Sequence, residues 1–148
     1  MNTALLRSVI ARSTPPIIRK HVPKFITKHL YFKGFFKVKF LKNYHLFLFS
    51  EGYILENEIY WYGIEGGHEK KSISIWMDFI KEFNPKTIYD IGANTGIYGL
   101  IAQAISQNSD VFYFEPIPKA VSILNINLEK NCFNAVDCRK VEAVGNGR

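Results

Sequence analysis

The apolar residues change period several times along the chain, and each change marks an element. Leu5, Leu6, Val9 and Ile10 recur at helical spacing among Arg7 and Arg12, and Pro15-Pro16 closes that segment. Ile17, Ile18 and Val22 begin a second short pattern, which Pro23 interrupts before Phe25, Ile26 and Leu30 resume it. Period two then takes over: Phe36, Val38 and Phe40 alternate with Lys37 and Lys39, as in a hairpin strand with one buried face. Residues 44–64 are dense in aromatic and aliphatic side chains, and Ser50-Glu51-Gly52 is a turn signal between two strand-like runs. A small antiparallel element is predicted there. Gly66-Gly67 breaks the chain, after which Ile73, Trp76, Met77, Ile80 and Phe83 share one face of a helix over about 70–83. Asn84-Pro85 ends that helix, because the residue before proline avoids the helical region.

From Thr87 onward strands and helices alternate. Ile88 to Ile91 reads as a buried strand, and Gly92 and Gly96 bracket a tight loop. Ile97, Leu100, Ile101 and Ala104 then stripe a helix, with Asn94 or Thr95 as its cap. Ser109-Asp110 is a turn, and Val111 to Phe114 is a strand that ends at Glu115-Pro116. Pro118 suits the first turn of a further helix with Val121, Leu124 and Leu128 on its apolar stripe. A third strand over about 135–144 leads into Gly145-Asn146-Gly147. Strand, glycine loop, helix and strand in succession predict an α/β fold with a Rossmann-like doubly wound sheet, truncated after its third strand. Three regions follow: a basic helical and hairpin extension over 1–45, a β-hairpin and helix lead-in over 46–86, and a partial nucleotide-cofactor domain over 87–148.

Charge sharpens this division. The 148 residues hold 19 Lys and Arg against 13 Asp and Glu, but residues 1–50 hold ten of the cations and no acid. The remainder has 9 basic and 13 acidic residues, so a basic arm joins a mildly acidic body. A uniformly basic nucleic-acid-binding domain would not divide this way, and no nucleic-acid partner is expected. Three readings fit the arm. It can be a helical extension on the body with its lysines in water, an interfacial helix pair on anionic lipid, or an organelle presequence. The second would give peripheral membrane contact through residues 1–40. The third is disfavoured because apolar and basic residues continue past any cleavage point. No run reaches the roughly 18 apolar residues of a membrane span, and no secretory h-region is present. The expected location is cytoplasmic, peripheral at a membrane surface if the arm meets lipid. Cys132 and Cys138 are too few for a disulfide scaffold and lack partners for zinc, so reduced thiols and no metal are expected.

The loop from Asp90 to Gly96 carries the chemistry. Its spacing is D-x-G-x-x-x-G, not the dinucleotide fingerprint G-x-G-x-x-G. Asp90 would repel a pyrophosphate, whereas S-adenosylmethionine has no phosphate, a positive sulfonium and a positive α-amino group. Glycines let the backbone approach such a ligand. Glu115, at the carboxyl end of the second strand, suits a ribose diol, because its oxygens accept from both hydroxyls.

Ile88-Tyr89-Asp90-Ile91-Gly92-Ala93-Asn94-Thr95-Gly96-Ile97-Tyr98, followed by Phe112-Tyr113-Phe114-Glu115-Pro116-Ile117-Pro118, resembles the FkbM family of S-adenosylmethionine-dependent methyltransferases. So do Leu124-Asn125 through Asn131, Val141-Glu142-Ala143-Val144-Gly145, and the lead-in Tyr60-Trp61-Tyr62-Gly63-Ile64-Glu65. The resemblance covers about residues 58–148 and implies a Rossmann-like fold. It also implies methyl transfer to a hydroxyl oxygen of a sugar or small natural product. Carried over by position, Asp90, Gly92, Ala93, Asn94 and Gly96 line the methionine and ribose, and Glu115 takes the ribose hydroxyls. Pro116 and Ile117 flank the adenine, and Glu142 and Ala143 meet its edge. Glu65 is either a further cofactor contact or a solvated loop acid.

The expected partner is a small molecule or glycan. No residue is assigned as general base: His68 reads as a loop histidine, and His21, His29 and His45 as solvated. The alternatives are an NAD-type dinucleotide oxidoreductase, a non-catalytic membrane-associated remnant and, last, a nucleic-acid methyltransferase. The family's later strand ending D-V-E-G is absent, so the chain is expected to hold the cofactor-binding half of a longer enzyme, as a fragment or a decayed gene, and to be inactive alone. Ile88 to Ile91 would then have a bare apolar edge.

Overall fold

Proline sets the boundaries of the arm. The computed structural model describes residues 3–67, 69–131 and 141–142. In it α1 (Thr3–Ser13) stops short of Pro15, α2 (Pro16–Arg19) opens on a proline, and α3 (Lys24–Thr27) follows Pro23. Next, β1 (Gly34–Phe40) pairs antiparallel with β2 (Tyr44–Ser50), with Phe36 opposite Leu48 and Val38 opposite Leu46. The period of two buries Phe36, Val38, Phe40, Leu46 and Leu48 and leaves Lys37 and Lys39 in solvent. The turn lies at residues 41–43: Leu41 has φ +47°, and its N–H donates to Glu65 Oε1 at 2.9 Å.

The antiparallel element predicted over 44–64 is therefore displaced. It occupies 34–50, and the second predicted strand is instead a helix, α4 (Ile54–Tyr62), which buries Glu56, Asn57, Ile59, Tyr60 and Trp61. Its aromatic residues favour strands only where a pleated surface receives them. Here Tyr60, Trp61 and Tyr62 instead reach backbone carbonyls of the arm.

In α5 (Lys70–Phe83), Ile73, Met77 and Ile80 are buried and Trp76 is half-buried, while Phe83 at the end of the expected stripe is exposed. Asn84 leaves the helix in the left-handed region at φ 41°, its N–H donating to Ile80 O at 3.0 Å.

A second sheet holds β3 (Thr87–Ile91), β4 (Asp110–Phe114) and β5 (Val141–Glu142), parallel and in that order. Parallel neighbours need crossovers, and α6 (Ile97–Ile105) and α7 (Pro118–Lys130) lie in them. Gly99 lets α6 lie close to β4, because a Cβ there would run into the Tyr113 ring. In α7 the buried residues are Ala120, Ile123, Leu124, Asn127 and Leu128, and Val121 is only half-buried. The described residues thus form a mixed α/β structure of seven helices and two small sheets.

Two asparagines join the sheets. Asn127 Oδ1 accepts from Phe49 N–H and Asn131 Oδ1 from Phe47 N–H, both at 2.7 Å. Four residues apart on one helix face, they serve the outer edge of β2 as a neighbouring strand would. The other face of the parallel sheet is uncovered among the described residues: Tyr89 is 62% exposed and Ile91 80%. Of the predicted third strand only Val141–Glu142 is described; Cys132, Cys138, Ala143 and Gly145-Asn146-Gly147 lie outside the described residues.

Candidate functional site

The strand register assembles one rim. Ile91, Phe114 and Glu142 lie side by side, so the carboxyl ends of β3, β4 and β5 are level. The loop after β3 crosses this rim through alternate left-handed residues: Gly92 at φ +77°, Asn94 at +50° and Gly96 at +89°. Gly92 N–H and Ala93 N–H both donate to Phe114 O, at 2.8 and 3.1 Å, which folds the loop over the end of β4. Ala93 and Thr95 turn inward and are buried, while Gly92 and Asn94 are exposed. Where a Cβ on Gly92 would sit, nothing approaches within 4 Å.

Two carboxylates hold this loop. Glu115 is 5% exposed; its Oε2 accepts from Asn94 N–H at 2.8 Å and its Oε1 from Ile117 N–H at 2.9 Å. Asp90 Oδ2 accepts from Gly99 N–H, in the first turn of α6, at 2.9 Å. The predicted cap at Asn94 or Thr95 is therefore replaced. Gly96 stands at the cap position without a side-chain bond, and Asp90 reaches across from the strand. Burial raises the Asp90 carboxyl above its ordinary range; the Gly99 N–H opposes this, and the neighbouring charge of Glu115 adds to it.

These contacts invert the usual electrostatics of such a loop. N–H groups at a helix start ordinarily receive phosphate. Here Asn94 N–H and Gly99 N–H are taken by the chain's own carboxylates, and the rim carries negative charge. Pro116 and Ile117 lie exposed just beyond Glu115. Glu142 reaches the rim by its register with Phe114, and Ala143 lies outside the described residues. Asp90, Gly92, Ala93, Asn94, Gly96, Glu115, Pro116, Ile117 and Glu142 thus belong to one end of one sheet. Glu65 does not join them, since it holds the hairpin turn through Leu41. His68 lies outside the described residues, and His21, His29 and His45 are exposed.

Three residues beside the rim were not legible from motif spacing. Glu56 of α4 is 1% exposed and hydrogen-bonded through Oε1 to the Thr95 hydroxyl, while its Oε2 has no partner among the described residues. Burial raises its carboxyl above the ordinary range, and the Thr95 bond partly offsets this. Reading 54–62 as a helix would have placed Glu56 on the face of Ile59 and Tyr60. Gly99 follows Gly96 at an interval the fingerprint does not contain, yet it provides both close packing and the N–H that Asp90 caps. Tyr98 donates to Glu69 Oε2 at 2.9 Å, and burial together with that bond pushes its hydroxyl up to about 12.

A cavity of about 470 Å³ lies away from the rim, lined by Tyr44, His45, Phe47, Ala104, Lys130 and Asn131 among others. Among the described residues no group of three His, Cys, Asp or Glu side chains converges as a metal site. No family model, curated protein or solved structure matches the chain.

Proposed function

We propose that the rim of the parallel sheet binds S-adenosylmethionine within a Rossmann-like nucleotide-binding unit. On this reading the chain serves a methyltransferase of the FkbM kind, acting on a hydroxyl oxygen of a sugar or small natural product. The observation that carries the reading is the pairing of Glu115 with a loop N–H and of Asp90 with an N–H of the α6 first turn, the kind of donors a phosphate would need. A pyrophosphate would meet two carboxylates where it requires donors, which disfavours a dinucleotide. A cationic, phosphate-free adenosyl donor meets attraction in the same place.

The residues present fit that group. Gly92 leaves open space at the loop, where a Cβ would intrude on a ligand. Each Glu115 oxygen accepts one backbone N–H and retains a second lone pair for a ribose hydroxyl. Pro116 and Ile117 offer an exposed apolar surface for an adenine ring. Bound there, S-adenosylmethionine would supply a methyl group on a positive sulfonium. Asp90 would hold the donor's cationic end, and the Glu115 bridge would keep the loop closed over β4.

Titration calorimetry of the full chain with S-adenosylmethionine, S-adenosylhomocysteine and NAD tests this. Both adenosyl compounds are expected to bind and NAD is not. Asp90→Asn keeps the acceptor for Gly99 and removes the charge, and is expected to weaken S-adenosylmethionine about tenfold with the fold retained. Binding of NAD alone, or of none of the three, overturns the reading.

A further inference from the structure

The arm is attached to the body by its backbone. Tyr60 Oη donates to Ala11 O at 2.7 Å, Tyr62 Oη to Val22 O at 3.0 Å, and Trp61 Nε1 to Leu30 O at 3.1 Å. Asn57 Nδ2 adds a bond to Thr27 O at 3.2 Å. Ala11 O and Thr27 O also accept from Thr14 N–H and Leu30 N–H, and α4 adds a second donor to each. Ala11 is buried and Val22 and Leu30 pack partly on the core, but most apolar side chains of α1, α2 and α3 are left outside this attachment. No residue of α2 is buried, and in α3 only Thr27 is. Ile17 is 76% exposed and Phe25 67%, and Leu6, Val9, Ile10, Ile18 and Ile26 are exposed as well. A helix docked on its own body turns its apolar stripe inward, whereas α1 buries Ala11 but leaves Leu6, Val9 and Ile10 exposed, and the single turns α2 and α3 bury no apolar residue.

Cations accompany them. Arg12 and Arg19 belong to the fold: Arg12 donates to Lys33 O at 3.0 Å, and the Arg19 guanidinium lies 3.8 Å over the Tyr60 ring. The two ion pairs among the described residues, Lys81–Asp78 and Lys119–Glu51, use none of the arm's cations. Two clefts meet at Tyr31. One, of about 450 Å³, is lined by Lys24, Phe25, Lys28, Ile54 and Trp61 among others; the second, of about 280 Å³, by Arg7, Lys33, Glu51 and Gly52. Tyr31 lines both, so exposed apolar residues and cations of α1, α3 and the approach to β1 that join no ion pair among the described residues share one surface.

We propose that this surface docks the protein on an anionic lipid bilayer, with the exposed Phe25 and Ile54 entering the acyl boundary and Arg7, Lys24, Lys28 and Lys33 meeting the headgroups. Among the described residues no helix is long and apolar enough to cross a membrane, so the contact is peripheral. Charge complementarity selects the occupant: Arg7, Lys24, Lys28 and Lys33 outnumber Glu51 and Glu58 around the clefts, which suits an anionic surface, and the exposed aliphatic and aromatic side chains suit a hydrocarbon layer beneath it. A nucleic acid would use the cations and leave Phe25 and Ile54 in water.

Co-sedimentation of the full chain with phosphatidylcholine vesicles, with and without phosphatidylserine, tests the proposal. Binding is expected only with phosphatidylserine and is expected to fall in high salt. Phe25→Ser/Ile54→Ser keeps every charge and is expected to weaken binding about tenfold or more. Both positions are exposed, so an unchanged thermal midpoint would show the variant folded. A brominated-lipid quench of Phe25→Trp, measured against the native chain with its Trp61 and Trp76, gives a second readout, with greater quenching expected in the variant. Three results would overturn the proposal: no sedimentation with anionic vesicles, binding indifferent to the double substitution and unquenched at residue 25, or tighter binding to a nucleic acid of equal charge.

Discussion

Glu56 shows how one residue can set the pH response of the site. Its carboxyl is buried, lacks a partner at Oε2, and is raised above the ordinary range mainly by burial. A raised carboxyl binds more protons in the folded state than in the unfolded state. Its stabilising contribution is therefore complete below the unfolded value of about 4.3 and is lost as pH rises through the folded value. Asp90 is raised too, so both act in the same direction. Denaturant midpoints are expected to fall as pH rises from about 4 towards neutrality. Glu56→Gln should reduce that fall and stabilise the protein at neutral pH, because the amide keeps the acceptor for Thr95 without a charge. A wild-type midpoint that rises over this range would contradict the assignment.

At the scale of elements, α7 joins the two sheets through polar groups. Besides accepting from Phe49, Asn127 donates through Nδ2 to Thr95 O at 2.9 Å, so one amide links β2 to the glycine loop. Asn131 repeats the arrangement at Phe47 and donates to Asn127 O at 2.7 Å. Asn127→Leu keeps roughly the same volume but orphans a backbone donor and a backbone acceptor. The expected loss is roughly 2–4 kcal/mol in denaturant unfolding. S-adenosylmethionine affinity should also fall if the loop is the binding site. Loss of stability alone, with affinity intact, would separate the brace from the rim.

At the scale of the molecule, the parallel sheet is covered on one side only among the described residues. Tyr89 stacks on Phe112 with ring centroids 5.4 Å apart and lies 6.1 Å from Phe114, and Ile91 stands beside them in solvent. β3 pairs only with β4, so its outer edge presents unpaired backbone groups among the described residues. Apolar side chains beside an open edge favour self-association. Sedimentation velocity over a concentration series is expected to show association, and Ile91→Lys is expected to reduce it. The variant's thermal midpoint should be nearly unchanged, because the side chain is 80% exposed. A concentration-independent monomer would show that the face is not adhesive.

The local grammar of the chain determined much of this. Period two marked β1, proline marked the arm helices and the end of α5, and the order of strand, glycine loop and helix placed Asp90, Gly92 and Glu115 in one unit. Those signals are legible because they arise from backbone geometry, which each residue carries with it. The tertiary structure alone decided which polar groups meet. The Glu115 bond to Asn94 N–H spans 21 residues, the Glu56 contact with Thr95 spans 39, and the asparagines reach β2 across 78 and 84. It also decided that Ile54–Tyr62 is a helix and that most apolar side chains of α1, α2 and α3 face outward, since both depend on the partners α4 finds for its aromatic hydrogen-bond donors. Periodicity records how a residue sits relative to its chain neighbours; it holds no record of a contact closed between distant segments.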